Sequence, residues 1–419
     1  MSGATEDAGP DWYYASPRTL LGSLQRGLGR GAHRAMSDPA AADLIIDCLR
    51  RDYRWSWQVD EREVYLARLV RDLRLPVQPI AARLWAAAPE ESDDGNEFAN
   101  TLGVLEVLGR AGVGEVVAEV RRYIDSGERW LEALEAVARS WPIRWWDDLY
   151  PVVADRLDST TRERILWRSA PWTVWTARSA RIATAVDAAK RRRAPARPYA
   201  DTPTTALLDL LRDPGRVTDW RPALRELRRR PPERALLEIV DTLVAAGVGH
   251  PLAAAMGQLG TVALPAARTW ATTSWHPLFW TGMRLLAAHG GQADVPTLVA
   301  GLDWLDSRPD DLCGYDDLVK ALARIGGPQA TAELARLRRL WFSPHSYERA
   351  DYLRARLALD PHGASGCLSE GLWDCESEVR LLAAQHVTLD DRSRDRLRYL
   401  RDDPIEAADV RAAAAARLS

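Results

Sequence analysis

Leu322-Ala323-Arg324-Ile325-Gly326 closes one apolar helix, and the same phrase recurs along the chain. The other copies are Val107-Leu108-Gly109-Arg110-Ala111-Gly112, Leu243-Val244-Ala245-Ala246-Gly247, Met256-Gly257-Gln258-Leu259-Gly260 and Leu285-Leu286-Ala287-Ala288-His289-Gly290. Each is an apolar helix end, a glycine, a small polar turn and another apolar helix. A glycine placed there closes a helix C-terminus cheaply, because it enters the left-handed region without a Cβ clash. Two further copies carry a Val-Arg pair, at Val379-Arg380 and Val410-Arg411, with Asp374 placed as an N-cap ahead of the first. Glycines 247, 290 and 326 are 43 and 36 residues apart, and Arg380 and Arg411 are 31 apart. Self-similarity at such a period marks a stacked array of helix pairs, in which neither helix of a pair buries its apolar stripe alone.

The rest of the chain agrees. Apolar residues recur at helical spacing in Val64, Leu66, Ala67, Leu69, Val70 and Leu73, and again in Leu131, Ala133, Leu134, Val137 and Ala138; alternating strand patterns do not occur. The expected fold is all-α, an alpha-alpha superhelix of stacked antiparallel helix pairs. This pattern resembles HEAT-like repeats, best over about residues 235–419 and more weakly over 16–160. The resemblance implies a solenoid whose concave face grips a partner. The expected organisation is a disordered tail at 1–15, an N-terminal helical segment at 16–189, a basic Pro-rich linker or loop at 190–203, and a C-terminal helical segment at 204–419.

Composition bounds function. Apolar residues are 47% of the 419, ample for a core, and the net charge of −3 argues against a general polyanion binder. Eighteen Trp stand against three Phe. Four cysteines form no CxxC or zinc-spaced cluster, which fits a reducing cytoplasm, and neither a signal peptide nor a membrane span is legible. No GxSxG, P-loop or HExxH occurs, and the acidic loops lack EF-hand spacing. Nothing in the sequence calls for catalysis, a metal or a small-molecule cofactor.

Two stretches hold surface chemistry. Arg51, Tyr53, Arg54, Trp55 and Trp57 lie between two helices and have the aromatic and arginine content of interface anchors; packing of the two tryptophans on neighbouring helices is an equal reading. They are the candidate residues for a protein partner, and a non-catalytic scaffold is the leading expectation. The second stretch, Ser140-Trp141-Pro142-Ile143-Arg144-Trp145-Trp146-Asp147-Asp148-Leu149-Tyr150, resembles the Trp-Trp-Asp segment of HEAT-like DNA-alkylation-repair glycosylases. In that family two Trp cradle a damaged nucleotide and an Asp follows one helical turn later. Here that position is Tyr150, and a phenol cannot supply the ionised carboxylate. The run Trp175-Thr176-Ala177-Arg178-Ser179-Ala180-Arg181 is similar to the family's helix that contacts the DNA backbone. The resemblance implies nucleic-acid binding through Trp145, Trp146, Arg178, Arg181, Arg191, Arg192 and Arg193, without glycosylase activity unless Asp147 or Asp148 substitutes. Residues 161–235 carry a net charge of +10, which a phosphate groove would use; solvation of Arg191–Arg193 and Arg228–Arg230 at helix ends and loops is the more common outcome for such runs.

Overall fold

A computed structural model describes residues 14–50, 61–87, 96–158, 163–165, 167–191, 197–308 and 314–419. The described residues form α-helices and short 3-10 turns, with no strand among them. Two compact units result. Unit 1 comprises Met1–Ala194, Phe342–Ala350 and Ser365–Ser419; unit 2 comprises Pro195–Trp341 and Asp351–Ala364. The division near residue 194 falls inside the Pro-rich stretch 190–203. The second half of the chain, however, is shared: residues 365–419 join the N-terminal helices rather than the helices of 204–341.

Within each unit a helix packs on its neighbour and on the helix after that. In unit 1 the Glu97–Arg110 helix touches Arg62–Asp72, Val77–Ala86, Gly114–Ser126 and Trp130–Ser140. In unit 2 the Phe279–His289 helix touches His250–Gly257, Leu264–Trp270, Val295–Asp306 and Tyr315–Ile325. Each unit has its own apolar core. Four of the five glycine stops take a positive φ: Gly112 at 92°, Gly247 at 67°, Gly260 at 56° and Gly326 at 69°. Gly290 does not. Its backbone is extended, and its N–H closes the helix on Leu286 O at 2.8 Å. Glycine is still required there, since a Cβ would lie 2.5 Å from Leu286 O.

Tryptophan fills the cores. Trp146, Trp172, Trp175, Trp220 and Trp341 are among the largest fully buried side chains. A buried indole needs an acceptor for its N–H. Trp141 donates to Glu106 O at 3.0 Å, Trp172 to Glu135 Oε1 at 2.7 Å and Trp220 to Leu210 O at 3.1 Å.

In unit 1 the C-terminal helices are bound to the N-terminal ones by buried charge. Arg68 donates to Asp403 at 2.8 Å and Glu406 at 2.9 Å, and Arg380 grips Glu406 at 2.8 and 2.9 Å. Arg380 also reaches Glu61 at 3.2 Å, and Glu61 accepts from Ser377 Oγ at 2.7 Å. Beside them Arg349 meets both oxygens of Asp374 at 2.6 and 2.7 Å, with side chains 1% and 0% exposed. Asp374 is therefore the counterion of Arg349 and not an N-cap: the helix that follows, Ser377–His386, has no side-chain cap at Glu376. Gly27 completes the junction. Its φ is +62°, its carbonyl accepts from Cys375 N at 2.9 Å, and a Cβ would stand 2.3 Å from Cys375 Sγ.

Candidate functional site

The tryptophan stretch of unit 1 is mostly interior. Trp146 is 1% exposed; its indole donates to Trp141 O at 3.2 Å and meets Trp175 edge-on at 5.9 Å. A ring buried this way presents no face to a nucleotide. Trp145 is half-buried, edge-on to Trp141 at 5.6 Å. Both neighbouring carboxylates are occupied. Asp147 accepts from Trp175 Nε1 at 2.9 Å and from Arg178. Asp148 receives both arms of Arg121 at 2.7 and 2.8 Å, and that guanidinium holds its carboxyl below the usual range. Arg178 lies 5.5 Å from the Tyr150 ring centroid, and Tyr150 Oη donates to Arg178 O at 3.3 Å. The cluster of Asp147, Tyr150, Trp175 and Arg178 is thus closed on itself. Arg181 is exposed and meets no carboxylate among the described residues. Arg51, Tyr53, Arg54, Trp55, Trp57, Arg192 and Arg193 lie outside the described residues, and of Arg191 only the backbone is described.

Many arginines of the basic segment are already engaged. In unit 1 Arg178 is bound to Asp147 and Arg168 to Ala189 O. In unit 2 Arg197 is bound to Glu226, Arg216 to Asp219, Arg212 to Asp209, and Arg230 to carbonyls of 199, 200 and 202. Unit 2 also holds a local concentration of arginine. Arg221, Arg225, Arg228 and Arg229 line an open depression of about 880 Å³ in unit 2, together with Val248, Gly249, His250, Pro251 and Gln258. All four arginines are exposed, and among the described residues no Asp or Glu lines the depression. Arg225 and Arg228 meet no carboxylate among the described residues. Arg221 donates to Gly247 O at 3.1 Å; Arg229 donates to Arg225 O at 3.2 Å and lies 3.7 Å from Glu226 Oε2.

Local sequence explains the geometry. Spacings of four, three and one from Arg221 to Arg229 put these side chains on one face of the Val217–Leu227 helix and the turn after it. Apolar Ala223, Leu224 and Leu227 pin the opposite face in the core. Gly249, at φ +69°, turns the chain into the His250–Gly257 helix. The N–H groups of Gly249 and His250 donate to no protein acceptor among the described residues. Four guanidinium groups and a helix N-terminus, positive at its end, face the same space. Sequence reading named Arg228 and Arg229 but missed Arg221, Arg225 and the Gly249-His250 turn; the helical spacing of the four arginines was the available signal.

A second surface feature in unit 2 is Trp275, 82% exposed at the tip of a turn. The turn is fixed from within: His276 N–H donates to Thr273 O at 2.9 Å, and His276 Nδ1 accepts from Leu278 N at 3.1 Å. The His276 ring stacks on buried Trp270. No group of three or more metal-ligating side chains occurs among the described residues, and none of their helices is long and apolar enough to cross a membrane. No family model matches the chain, and no curated protein or solved structure matches it.

Proposed function

We propose that the protein is a non-catalytic helical-repeat scaffold, a HEAT-like superhelix acting in the cytoplasm, which binds a protein partner through an acidic segment. The observation that carries this reading is the depression of Arg221, Arg225, Arg228 and Arg229, lined by no carboxylate among the described residues. Exposed guanidinium groups beside a helix N-terminus select carboxylates and phosphates. The patch draws on the Val217–Leu227 helix, the turn after it and the start of the His250–Gly257 helix, whereas a duplex needs basic groups spaced along its backbone. Trp275 adds a large, fixed apolar anchor of the kind that dominates protein interfaces. The repeat reading rests on the succession of neighbour and next-neighbour helix contacts and on the left-handed glycine stops. Three buried cysteines, Cys48, Cys367 and Cys375, remain free thiols, in keeping with a reducing compartment.

The test is fluorescence anisotropy of the full chain with a glutamate-rich peptide and with a short duplex DNA, at low and moderate salt. Binding of the peptide, weakened at least about tenfold in an R225E/R228E variant, is the expected result. Tight DNA binding with a steep salt slope, lost in the same variant, replaces the protein partner with a nucleic acid. No binding of either probe removes the depression from the function.

A further inference from the structure

Unit 1 holds a buried arginine that meets no carboxylate directly; Asp72 acts on it from beyond the Tyr399 hydroxyl, which donates to Asp72 at 2.6 Å. Arg396, on the Asp391–Asp402 helix, is 7% exposed. Its guanidinium carbon stands 3.7 Å from the Trp373 ring centroid and 3.9 Å from that of Tyr399. Its Nε donates to Leu372 O at 3.1 Å, and the Tyr399 hydroxyl is its other polar neighbour. No carboxylate lies within ion-pairing distance among the described residues. Burial pulls its pKa down to about 10, so it is charged at neutral pH yet largely stripped of water. Buried charges are ordinarily paired. A planar fork fixed between two rings is preorganised for a bidentate oxyanion.

Arg396 also borders space. Two cavities, of about 310 and 530 Å³, share His33, Trp373, Arg392 and Arg396. The larger adds Met36, which is exposed, and Tyr399. The acidic residues on the walls are already engaged. Glu370 is held by Arg30 at 2.6 and 2.9 Å, Asp390 caps the Asp391–Asp402 helix through Ser393 N at 2.7 Å, and Asp395 meets Arg398 at 2.6 Å. Of the cationic wall residues, Arg34, Arg392 and Arg396 meet no carboxylate directly among the described residues, and Asp390 acts on Arg392 from a distance. His33 adds no standing charge, since burial and then Arg392 lower its pKa.

We propose that this cavity binds a small organic anion, with its oxyanion headgroup on Arg396 and Arg392 and its apolar body against Met36, Trp373 and Tyr399. Carboxylate and phosphate headgroups share that chemistry, and the probes separate them. Isothermal titration calorimetry of the full chain would use 3-phenylpropionate, phenyl phosphate, inorganic phosphate and the neutral 3-phenylpropanol. One or both aryl anions bind, and the alcohol and inorganic phosphate bind at least about tenfold more weakly. Arg396 is packed, so the decision rests on R392Q and M36D, at exposed positions, checked by circular dichroism. Each lowers the affinity of the aryl anion about tenfold while the helical signal stays. The proposal is overturned if no aryl anion binds at millimolar concentration. Equal binding of inorganic phosphate or of the alcohol, or affinities unchanged in both variants, overturns it as well. The site lies in unit 1 and shares no residue with the arginine depression of unit 2, so the two readings stand or fall separately.

Discussion

At Gly27 a single hydrogen in place of a methyl lets two distant parts of unit 1 meet. A Cβ would overlap Cys375 Sγ, and the positive φ would be strained in any other residue. Gly27→Ala is expected to cost about 3 kcal/mol or more, read as a drop in the denaturant midpoint. Trp172 tests a different rule. Its indole donates to Glu135, which is itself buried. Trp172→Phe keeps most of the apolar volume and removes that donor, for an expected loss of about 1–3 kcal/mol in the same measurement. A loss below a few tenths would show that the volume alone matters there. Composition announced the tryptophans but not their use. Periodicity cannot distinguish a Trp that faces a ligand from one that faces the next helix, and Trp146 shows the difference. Its neighbours in sequence are Asp147 and Asp148, which read as exposed chemistry, yet arginines 121 and 178 come from other elements to occupy them.

The helix-scale reading was the most legible. Helices expected from Val64 to Leu73 and around Leu131 to Ala138 are found at Arg62–Asp72 and Trp130–Ser140. The apolar stripes and their prolines carry that information locally. The arginine depression was less legible, because it joins the Val217–Leu227 helix to the start of the His250–Gly257 helix, more than twenty residues on. A net charge summed over 161–235 averaged the free arginines with those already paired. The freedom of Arg225 and Arg228 has a measurable counterpart. Since neither meets a carboxylate, the R225E/R228E variant is expected to keep its thermal stability to within about 0.5 kcal/mol while losing its partner. A large fall in melting temperature would instead make these residues structural.

For the whole molecule, the buried charges at Arg68, Arg380, Asp403 and Glu406 set a pH dependence. Burial alone would raise the pKa of Asp403 and of Glu406. The guanidinium groups outweigh it, Arg71 and Arg68 at Asp403, Arg380 and Arg68 at Glu406, and hold both carboxyls below their ordinary values. Groups depressed on folding stabilise fully above their unfolded pKa, near pH 4, and lose that contribution as pH falls through the folded value. Thermal melts are therefore expected to shift downward between about pH 5 and about pH 3, with the unfolded chain taking up protons. Arg380→Met, which strands Glu406 beside Arg68 alone, should cost about 3–5 kcal/mol and flatten that acid dependence. An unchanged acid profile in this variant would assign the sensitivity to other carboxylates.

The junction of Arg68 with Asp403 and Glu406 also bears on how the chain is made. Synthesis delivers Arg68 to the ribosome exit long before its two acceptors, and all of residues 195–341 emerge in between. Unit 2 has most of its sequence in hand while unit 1 still lacks its last helices. Unit 2 can therefore mature first on the nascent chain, and unit 1 must hold an unfinished, charged surface open until residue 406 has cleared. A pause or a premature stop late in translation would release a protein whose second domain is complete and whose first is not.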